Sequence, residues 1–290
     1  MKKNYSWLLV LVCLNAFAQE NVMTPQKLWE LGRVSLETVS PDNEEFIFGI
    51  SHYDIKANKG NRDLYSMSTK GGEAKQLTSD AGGEYAAFYL MKGSKIGYSK
   101  GGQFHLMDKD GKNSKAVTNI KGGMGNINAY DLPDGRVALV FTKSVKLDKT
   151  TKDLYPNLPK AEAMVIDNLM YRHWDSWSDA SYNHICYAFL DKNGTPITSF
   201  TDIMPAEKFD SPVNTFGGSE SFTMSPDGKT IVYEAKKLKG KDWAISTNSE
   251  LYSYEIATNE TTVLTEGMVG YDKEPKFSPD GKKLAWMSMA

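Results

Sequence analysis

The sequence predicts an all-β fold, an incomplete β-propeller of about four to five blades preceded by a signal peptide and a short helix. The first observation is a proline turn that recurs along the chain, at Ser40-Pro41-Asp42, Leu132-Pro133-Asp134-Gly135, Ser225-Pro226-Asp227-Gly228 and Ser278-Pro279-Asp280-Gly281. The second is a Leu-Tyr-Ser strand pattern followed thirteen residues later by Leu-Thr, beginning at Leu64 and again at Leu251. A short β unit cannot bury both of its faces alone, so its repetition indicates blades that stack on one another.

Turn and strand residues support each predicted blade. Proline presets φ at the second position of a tight turn, and Asp and Gly tolerate the positions that follow. Segment 230–233 then supplies the β-branched and aromatic residues that suit a pleated, largely buried strand. Hairpin-forming pairs such as Gly71-Gly72 follow farther along each unit. The predicted units span residues 37–78, 84–118, 126–201, 218–265 and from 273 onward.

The domain organisation follows from these units. Residues 1–18 are predicted to be a signal peptide, 19–36 an amino-terminal segment with a short helix beginning at Thr24-Pro25, and 37–290 a partial propeller. The third unit carries an insertion at about 143–178, the kind of segment in which a repeat array acquires function. The last proline turn lies near Ala290, and strand 283–289 would leave an apolar edge, so an unfinished blade is expected.

Three features at the amino terminus predict export. Two lysines follow the first methionine, an apolar core spans residues 7–14, and an A-x-A site ends at Ala18. That core is too short to span a bilayer as an anchor. Cys13 raises the lipoprotein alternative, but Val12 stands where a lipobox requires a small residue, so cleavage after Ala18 is preferred. We therefore expect a bacterial periplasmic or secreted protein with no membrane anchor after cleavage.

Composition narrows the function classes. The net charge is -2 over 290 residues and no polybasic tract occurs, so nucleic acid and anionic membranes have no electrostatic reason to bind. After cleavage Cys186 is the only cysteine, which excludes an intramolecular disulfide, and its apolar surroundings predict a small buried hydrophobe. The four histidines lack metal-ligand spacing and no glycine-rich phosphate loop occurs, so no metal or other cofactor is expected.

Several motifs carry a resemblance to a known family. They are Met23-Thr24-Pro25 with Leu31-Gly32-Arg33-Val34, the S-P-D turns, Tyr171-Arg172-His173-Trp174-Asp175 and Phe216-Gly217-Gly218-Ser219-Glu220. Together they resemble the amino-terminal propeller of secreted prolyl oligopeptidase family serine peptidases, within the dipeptidyl-peptidase 5 and acylaminoacyl-peptidase branch. The likeness covers essentially all of the mature chain, and the R-H-W-D and G-G-S-E segments are its most specific parts.

The resemblance implies that a carboxy-terminal α/β-hydrolase domain accompanies the propeller in cis and holds a Ser, Asp, His triad. In that fold the nucleophile lies in a G-x-S-x-G turn. The nearest pentapeptide in this chain, 217–221, ends in serine, so the hydrolase domain is absent from it. The catalytic residues are expected beyond Ala290, and the chain alone is predicted to be inactive.

Glu220 is the candidate substrate-binding residue. An enzyme that removes dipeptides must recognise a free α-amino group, and a desolvated carboxylate is the natural partner of that cation. Glu220 follows two glycines at the entry to a blade, where a loop can reach the cavity between two domains. The alternative is an ordinary exposed acid on a loop.

The R-H-W-D run is interpreted as structural. His173, Asp175 and Ser176 are adjacent in sequence, but a triad requires spatial geometry that adjacency does not create. Trp174 and Trp177 are instead predicted to pack the insertion onto a blade.

Two function classes remain open. The first is the substrate-gating propeller of a periplasmic serine peptidase that cleaves short peptides, a dipeptidyl or acylaminoacyl peptidase. The second is a stand-alone propeller similar to periplasmic TolB, which would bind a protein partner. An incomplete last blade favours the first class, because a stand-alone propeller should complete its final blade.

Overall fold

The computed structural model describes residues 23–178, 180–190 and 196–289. The signal peptide expected at residues 1–18 lies outside this range and stays a prediction. Within the described part, strands predominate and form four antiparallel sheets of four strands each, a fifth sheet of two strands and one small separate hairpin. The predicted all-β propeller fold is therefore confirmed.

Each of the first two blades is four-stranded. Blade 1 contains β1 (Arg33–Val39), β2 (Glu45–Asp54), β3 (Lys59–Ser68) and β4 (Lys75–Gln76). Blade 2 contains β5 (Glu84–Leu90), β6 (Lys95–Lys100), β7 (Gln103–Asp108) and β8 (Lys115–Ala116).

The next blades carry the longer connections. Blade 3 contains β9 (Gly125–Asp131), β10 (Val137–Lys146), β13 (Ser181–Leu190) and β14 (Thr201–Asp202), and the hairpin β11 (Arg172–His173) and β12 (Ser176–Trp177) lies between β10 and β13. Blade 4 contains β15 (Phe222–Met224), β16 (Thr230–Ala235), β17 (Glu250–Glu255) and β18 (Glu260–Val263), and blade 5 contains β19 (Tyr271–Phe277) and β20 (Leu284–Met289). The short helices are α1 (Pro25–Glu30), α2 (Thr151–Leu154) and α3 (Gly240–Ile245).

In each S-P-D turn, the serine side chain forms the two hydrogen bonds that close the turn. Ser225 Oγ donates a hydrogen bond to Asp227 Oδ1 at 2.6 Å and accepts one from the Thr230 N–H at 3.0 Å. The same pair of bonds forms around Ser40 and around Ser278. The motif therefore closes the connection between the first and second strands of blades 1, 4 and 5 through local bonds.

The Leu-Thr repeat has an equally direct cause. The hydroxyl oxygen of Thr265 accepts a hydrogen bond from the backbone N–H of Leu251 at 3.0 Å, and Thr78 accepts one from Leu64 at 2.9 Å. Thr118 holds the N–H of Phe104 in the same way at 2.8 Å. Each bond ties the end of a blade to its third strand, which fixes the sequence interval between the two positions.

The core lies between blades. The six residues of segment 137–142 in β10 are all buried. Successive side chains of a strand point to opposite faces, so both faces of this strand are covered. Leu139 and Phe141 pack with residues of blade 2, whereas Ala138 and Val140 pack with residues of blade 4. A third cluster joins blades 1 and 2. Blades 2 and 3 thus bury both faces against their neighbours, as blades of a propeller do.

Gly111→Ala is expected to destabilise the protein more than the matched change Gly71→Ala. Both glycines have positive φ in a turn between third and fourth strands, +86° and +89°, so alanine costs about 1 kcal/mol at either site. At Gly111 a Cβ would also lie 2.8 Å from the carbonyl oxygen of Leu77 in blade 1, whereas at Gly71 nothing lies within 4 Å. Urea unfolding should show a loss of about 3 kcal/mol for Gly111→Ala and about 1 for Gly71→Ala. Equal losses would contradict the packing of blade 2 on blade 1.

The loops are sorted between the two ends of the propeller. The first strands lie side by side, since β1 contacts β5, β5 contacts β9, and β15 contacts β19. Because the strands of a blade alternate in direction, the links between second and third strands and the links between blades emerge where the first strands begin. We call this the entry end. The insertion of blade 3, helix α3 and the connector 203–221 between blades 3 and 4 all lie there.

Two predicted boundaries differ from the structure. Helix α1 ends at Glu30, and β1 begins at Arg33 rather than at the predicted residue 37. Val34 and Leu36 alternate with polar residues, which is the pattern of a strand rather than a helix. At the insertion, β10 continues to Lys146, so the first residues of the predicted segment 143–178 belong to blade 3.

Cys186 is buried, as predicted. Its side chain lies in the cluster between blades 2 and 3 and is fully inaccessible. Burial raises the pKa of its thiol well above the usual range, so the thiolate needed for nucleophilic chemistry does not form near neutral pH.

Candidate functional site

Glu220 lies on a single 3-10 turn, Ser219–Ser221, at the entry end of blade 4. Its Oε1 accepts a hydrogen bond from the Gly218 N–H at 2.8 Å. A Cβ on Gly218 would lie 2.7 Å from Glu220 Oε2, so the missing side chain gives the carboxylate room to fold back on its own turn. The G-G-S-E sequence therefore fixes the direction of one carboxylate.

The turn is held by the first strands of the neighbouring blades. Asn128 of β9 donates its side-chain amide to the carbonyl oxygens of Ser219, at 2.6 Å, and Phe222, at 3.2 Å. On the other side the turn contacts β19 of blade 5. Glu220 is consequently positioned among the first strands of three successive blades, the strands that line the axis of a propeller.

The charge of Glu220 is available to a ligand. The carboxylate is half-buried, and within the described residues it has no Lys, Arg or His partner in an ion pair. Its Oε2 accepts no hydrogen bond from that part of the chain. A half-buried carboxylate with one unoccupied oxygen is suited to a cation such as an α-ammonium group.

A second carboxyl group lies buried next to this turn. Glu234 of β16 is 4% exposed, and the side chains of Ser221 and Ser249 act to lower the pKa of its carboxyl group. Desolvation raises its pKa to about 7, and the nearby negative charge of Glu220 contributes to the increase. Lys273 opposes the shift. Glu234 was not identified from the sequence, because only its burial beside another acid distinguishes it.

The two most specific sequence motifs meet at the entry end. The indole of Trp174, in the R-H-W-D run, packs edge to face on the ring of Phe216 with centroids 5.5 Å apart. Phe216 precedes the G-G-S-E turn, so the insertion touches the connector that carries Glu220. Trp177 instead stacks on Tyr171 within the insertion at 6.0 Å. The prediction that Trp174 and Trp177 pack onto a blade is wrong, because both rings find aromatic partners outside the blade sheets.

A cleft opens between the insertion, the connector and helix α3. Its volume is about 680 Å³. Its lining includes aromatic and basic side chains, among them Arg172, Trp174, Trp177, Lys208, Phe209, Lys239 and Trp243. Asn214 and Thr215 of the connector also line it, only a few residues before the Glu220 turn. The cleft and Glu220 therefore share one connector.

The R-H-W-D run does not form a triad. Ser176 Oγ donates to Asp175 Oδ1 at 3.3 Å, and the His173 ring packs on Trp174 with centroids 5.0 Å apart. No hydrogen bond joins the His173 side chain to Ser176 or Asp175 in the described insertion. Across residues 23–178, 180–190 and 196–289, no three His, Cys, Asp or Glu side chains are grouped as metal ligands would be. In the same ranges no helix is long and apolar enough to cross a membrane.

The chain is similar in sequence to two dipeptidyl peptidases. The chain is 38% identical over 271 residues to dipeptidyl-peptidase 5 of Porphyromonas gingivalis and 35% identical over 276 residues to that of Porphyromonas endodontalis. These alignments cover 92% and 94% of the chain. These matches fit an amino-terminal propeller fragment of a prolyl oligopeptidase family peptidase. The chain spans 39% of the length of each of these two relatives.

Two solved acylaminoacyl peptidase structures share the fold. The chain superposes on Pyrococcus horikoshii acylaminoacyl peptidase with a TM-score of 0.54 at 12% identity, over 83% of this chain and 33% of that one. An acylaminoacyl peptidase in complex with Z-Gly-Gly-Phe-chloromethyl ketone gives a TM-score of 0.53 over 83% and 34%. No protein family profile matches the chain.

Proposed function

We propose that the chain is the substrate-gating propeller of an exported serine peptidase that removes dipeptides from the amino termini of short peptides. The observation that supports this most directly is the Glu220 turn, which offers an unpaired, half-buried carboxylate at the entry end. The sequence similarity to two dipeptidyl-peptidase 5 proteins agrees with recognition of a free amino terminus. The TolB-like alternative is less well supported, because both of these relatives are peptidases.

In this proposal the propeller binds and a hydrolase domain in cis cleaves. Glu220 would hold the α-ammonium group of the peptide, so that the second peptide bond lies at the serine nucleophile of the other domain. Acyl transfer through a serine ester requires no organic cofactor. Blades surrounding the access route would exclude folded proteins and admit short peptides. The predicted signal peptide makes the periplasm or the cell exterior the proposed location.

The proposal is tested with the full-length protein, expressed from the complete source gene. Ala-Ala-4-nitroanilide, its N-acetyl derivative and casein serve as substrates. An ionic hydrogen bond to the substrate contributes about 1.5–3 kcal/mol, so kcat/KM should be roughly 10- to 100-fold higher for the free dipeptide than for the acetylated one. Casein should be cleaved poorly. Equal rates on the free and acetylated substrates would contradict amino-terminal recognition, and efficient cleavage of casein would contradict gating.

A further inference from the structure

The cleft is lined by two cations, Arg172 and Lys239, that form no ion pair with any described residue. Arg172 Nε donates to the carbonyl oxygen of Trp174 at 2.6 Å, and the guanidinium carbon lies 5.3 Å from the centroid of the Trp177 ring. These contacts fix the guanidinium group while its two Nη groups find no acceptor within the described residues. Lys239 also lines the cleft; its Nζ lies 5.4 Å from the centroid of the Phe209 ring and forms no ion pair in that part of the chain.

The other charged groups of the cleft do not neutralise these two. Lys208 is paired with Asp148, which lies outside the lining. Asp210 is the acid among the lining residues, and its Oδ1 accepts the backbone N–H of Asn183 at 2.9 Å. Among the described lining residues, the three cations Arg172, Lys208 and Lys239 therefore outnumber the one acid, in a chain whose net charge is -2.

The aromatic side chains of the cleft indicate which kind of anionic ligand would fit there. Trp174, Trp177 and Trp243 all line the cleft, and its volume of about 680 Å³ is within the range of sites for small ligands. Indole rings cover the backbone and apolar groups of a peptide, while a guanidinium group pairs with a carboxylate through two parallel bonds. The combination suits a peptide that carries a carboxylate.

We propose that this cleft binds the carboxylate of a short peptide, with Arg172 and Lys239 as its two ligands. The inference rests on the proposed function, since it takes the occupant to be a peptide. It goes further in assigning a second recognition site, distinct from the amino-terminal anchor at Glu220. The carboxylate comes either from the carboxy terminus of the peptide or from an Asp or Glu side chain.

Tryptophan fluorescence of the full chain measures this binding, because three indoles line the cleft. The probes are N-acetyl-tetra-alanine, its carboxy-terminal amide, and the amide of N-acetyl-Ala-Ala-Glu-Ala. All three have a blocked amino group, so the result does not depend on Glu220. The free acid should bind about 10-fold more tightly than the neutral amide. Tight binding of the Glu-containing amide would show that a side-chain carboxylate also suffices.

Arg172→Gln and Lys239→Gln should each weaken binding of the free acid about 10-fold and leave binding of the neutral amide unchanged. Lys241→Gln is the matched control. Lys241 lies in the first turn of helix α3, two residues after Lys239, but it does not line the cleft. Circular dichroism checks that each variant is folded. Equal affinity for acid and amide, or an effect of Lys241→Gln as large as that of Lys239→Gln, would overturn the proposal. A carboxylate-dependent affinity without any preference for free amino termini would leave this site standing and reject the Glu220 anchor.

Discussion

Replacing Glu220 by glutamine in the full-length enzyme should raise KM for free dipeptide substrates by about 10- to 100-fold. Glutamine keeps an oxygen that can accept the Gly218 N–H, so the turn is retained and only the charge is removed. The α-ammonium group then loses its ionic partner. For an N-acetylated substrate, which lacks that cation, KM should change by less than about twofold.

The matched control is Glu266→Gln. Glu266 is an exposed acid in the link between blades 4 and 5, also at the entry end. It tests whether any negative charge at this end attracts a cationic substrate, and its loss should leave KM for the free dipeptide nearly unchanged. If Glu220→Gln impaired free and acetylated substrates equally, Glu220 would be a structural residue rather than an anchor.

The second large effect is expected at His184, whose removal should lower the free energy of unfolding by about 3 kcal/mol at pH 5.5. The ring is fully buried, with Nδ1 2.8 Å from Asp202 Oδ2 and Nε2 2.8 Å from the carbonyl oxygen of Glu207. A carboxylate and a carbonyl both accept, so both ring nitrogens donate and the imidazole is cationic. Loss of the ring leaves Asp202 without its charge partner and frees the connector at Glu207.

This contribution depends on pH. Burial lowers the pKa of His184, but the bonds to Asp202 and Glu207 raise it more, so the folded-state pKa lies above the usual value. A histidine with a raised pKa stabilises the protein fully below its unfolded pKa of about 6.5, and the contribution is lost as pH rises through the folded-state pKa. The difference in unfolding free energy between the wild type and His184→Ala, measured in urea, should therefore shrink between pH 5.5 and pH 9.

His105→Ala provides the matched control with the opposite sign. Burial and then the charge of Lys100 lower the pKa of His105. Protonation of this ring destabilises the folded state, so the difference between the wild type and His105→Ala should grow as pH rises from 5.5 through the unfolded pKa of about 6.5 and then level off. Parallel pH trends for the two histidine variants would contradict a cationic His184.

The blades could be predicted from the sequence because their chemistry is local. The serine of each S-P-D turn bonds an aspartate two residues away and a backbone amide five residues away. The threonine of each Leu-Thr pair binds a backbone amide fourteen residues earlier, such as that of Leu251. Because such bonds join residues at fixed intervals in every blade, they produce a repeat that is visible in the sequence.

The candidate site could be predicted only in part, because its geometry depends on neighbouring blades. Glu220 was identifiable from its glycine-rich context, but Asn128, which holds its turn, is far away in the chain. The burial of Glu234 and the contact of Trp174 with Phe216 likewise arise only when blades 3, 4 and 5 are packed. No periodicity connects these positions, so sequence patterns do not bring them together.

The central claim is that this propeller gates a serine peptidase, and the most direct test is to read the source gene beyond the codon for Ala290. The account predicts an open frame of several hundred codons, on the order of one α/β-hydrolase domain. That frame should encode a G-x-S-x-G turn followed by Asp and then His. A stop codon directly after Ala290 would contradict the claim.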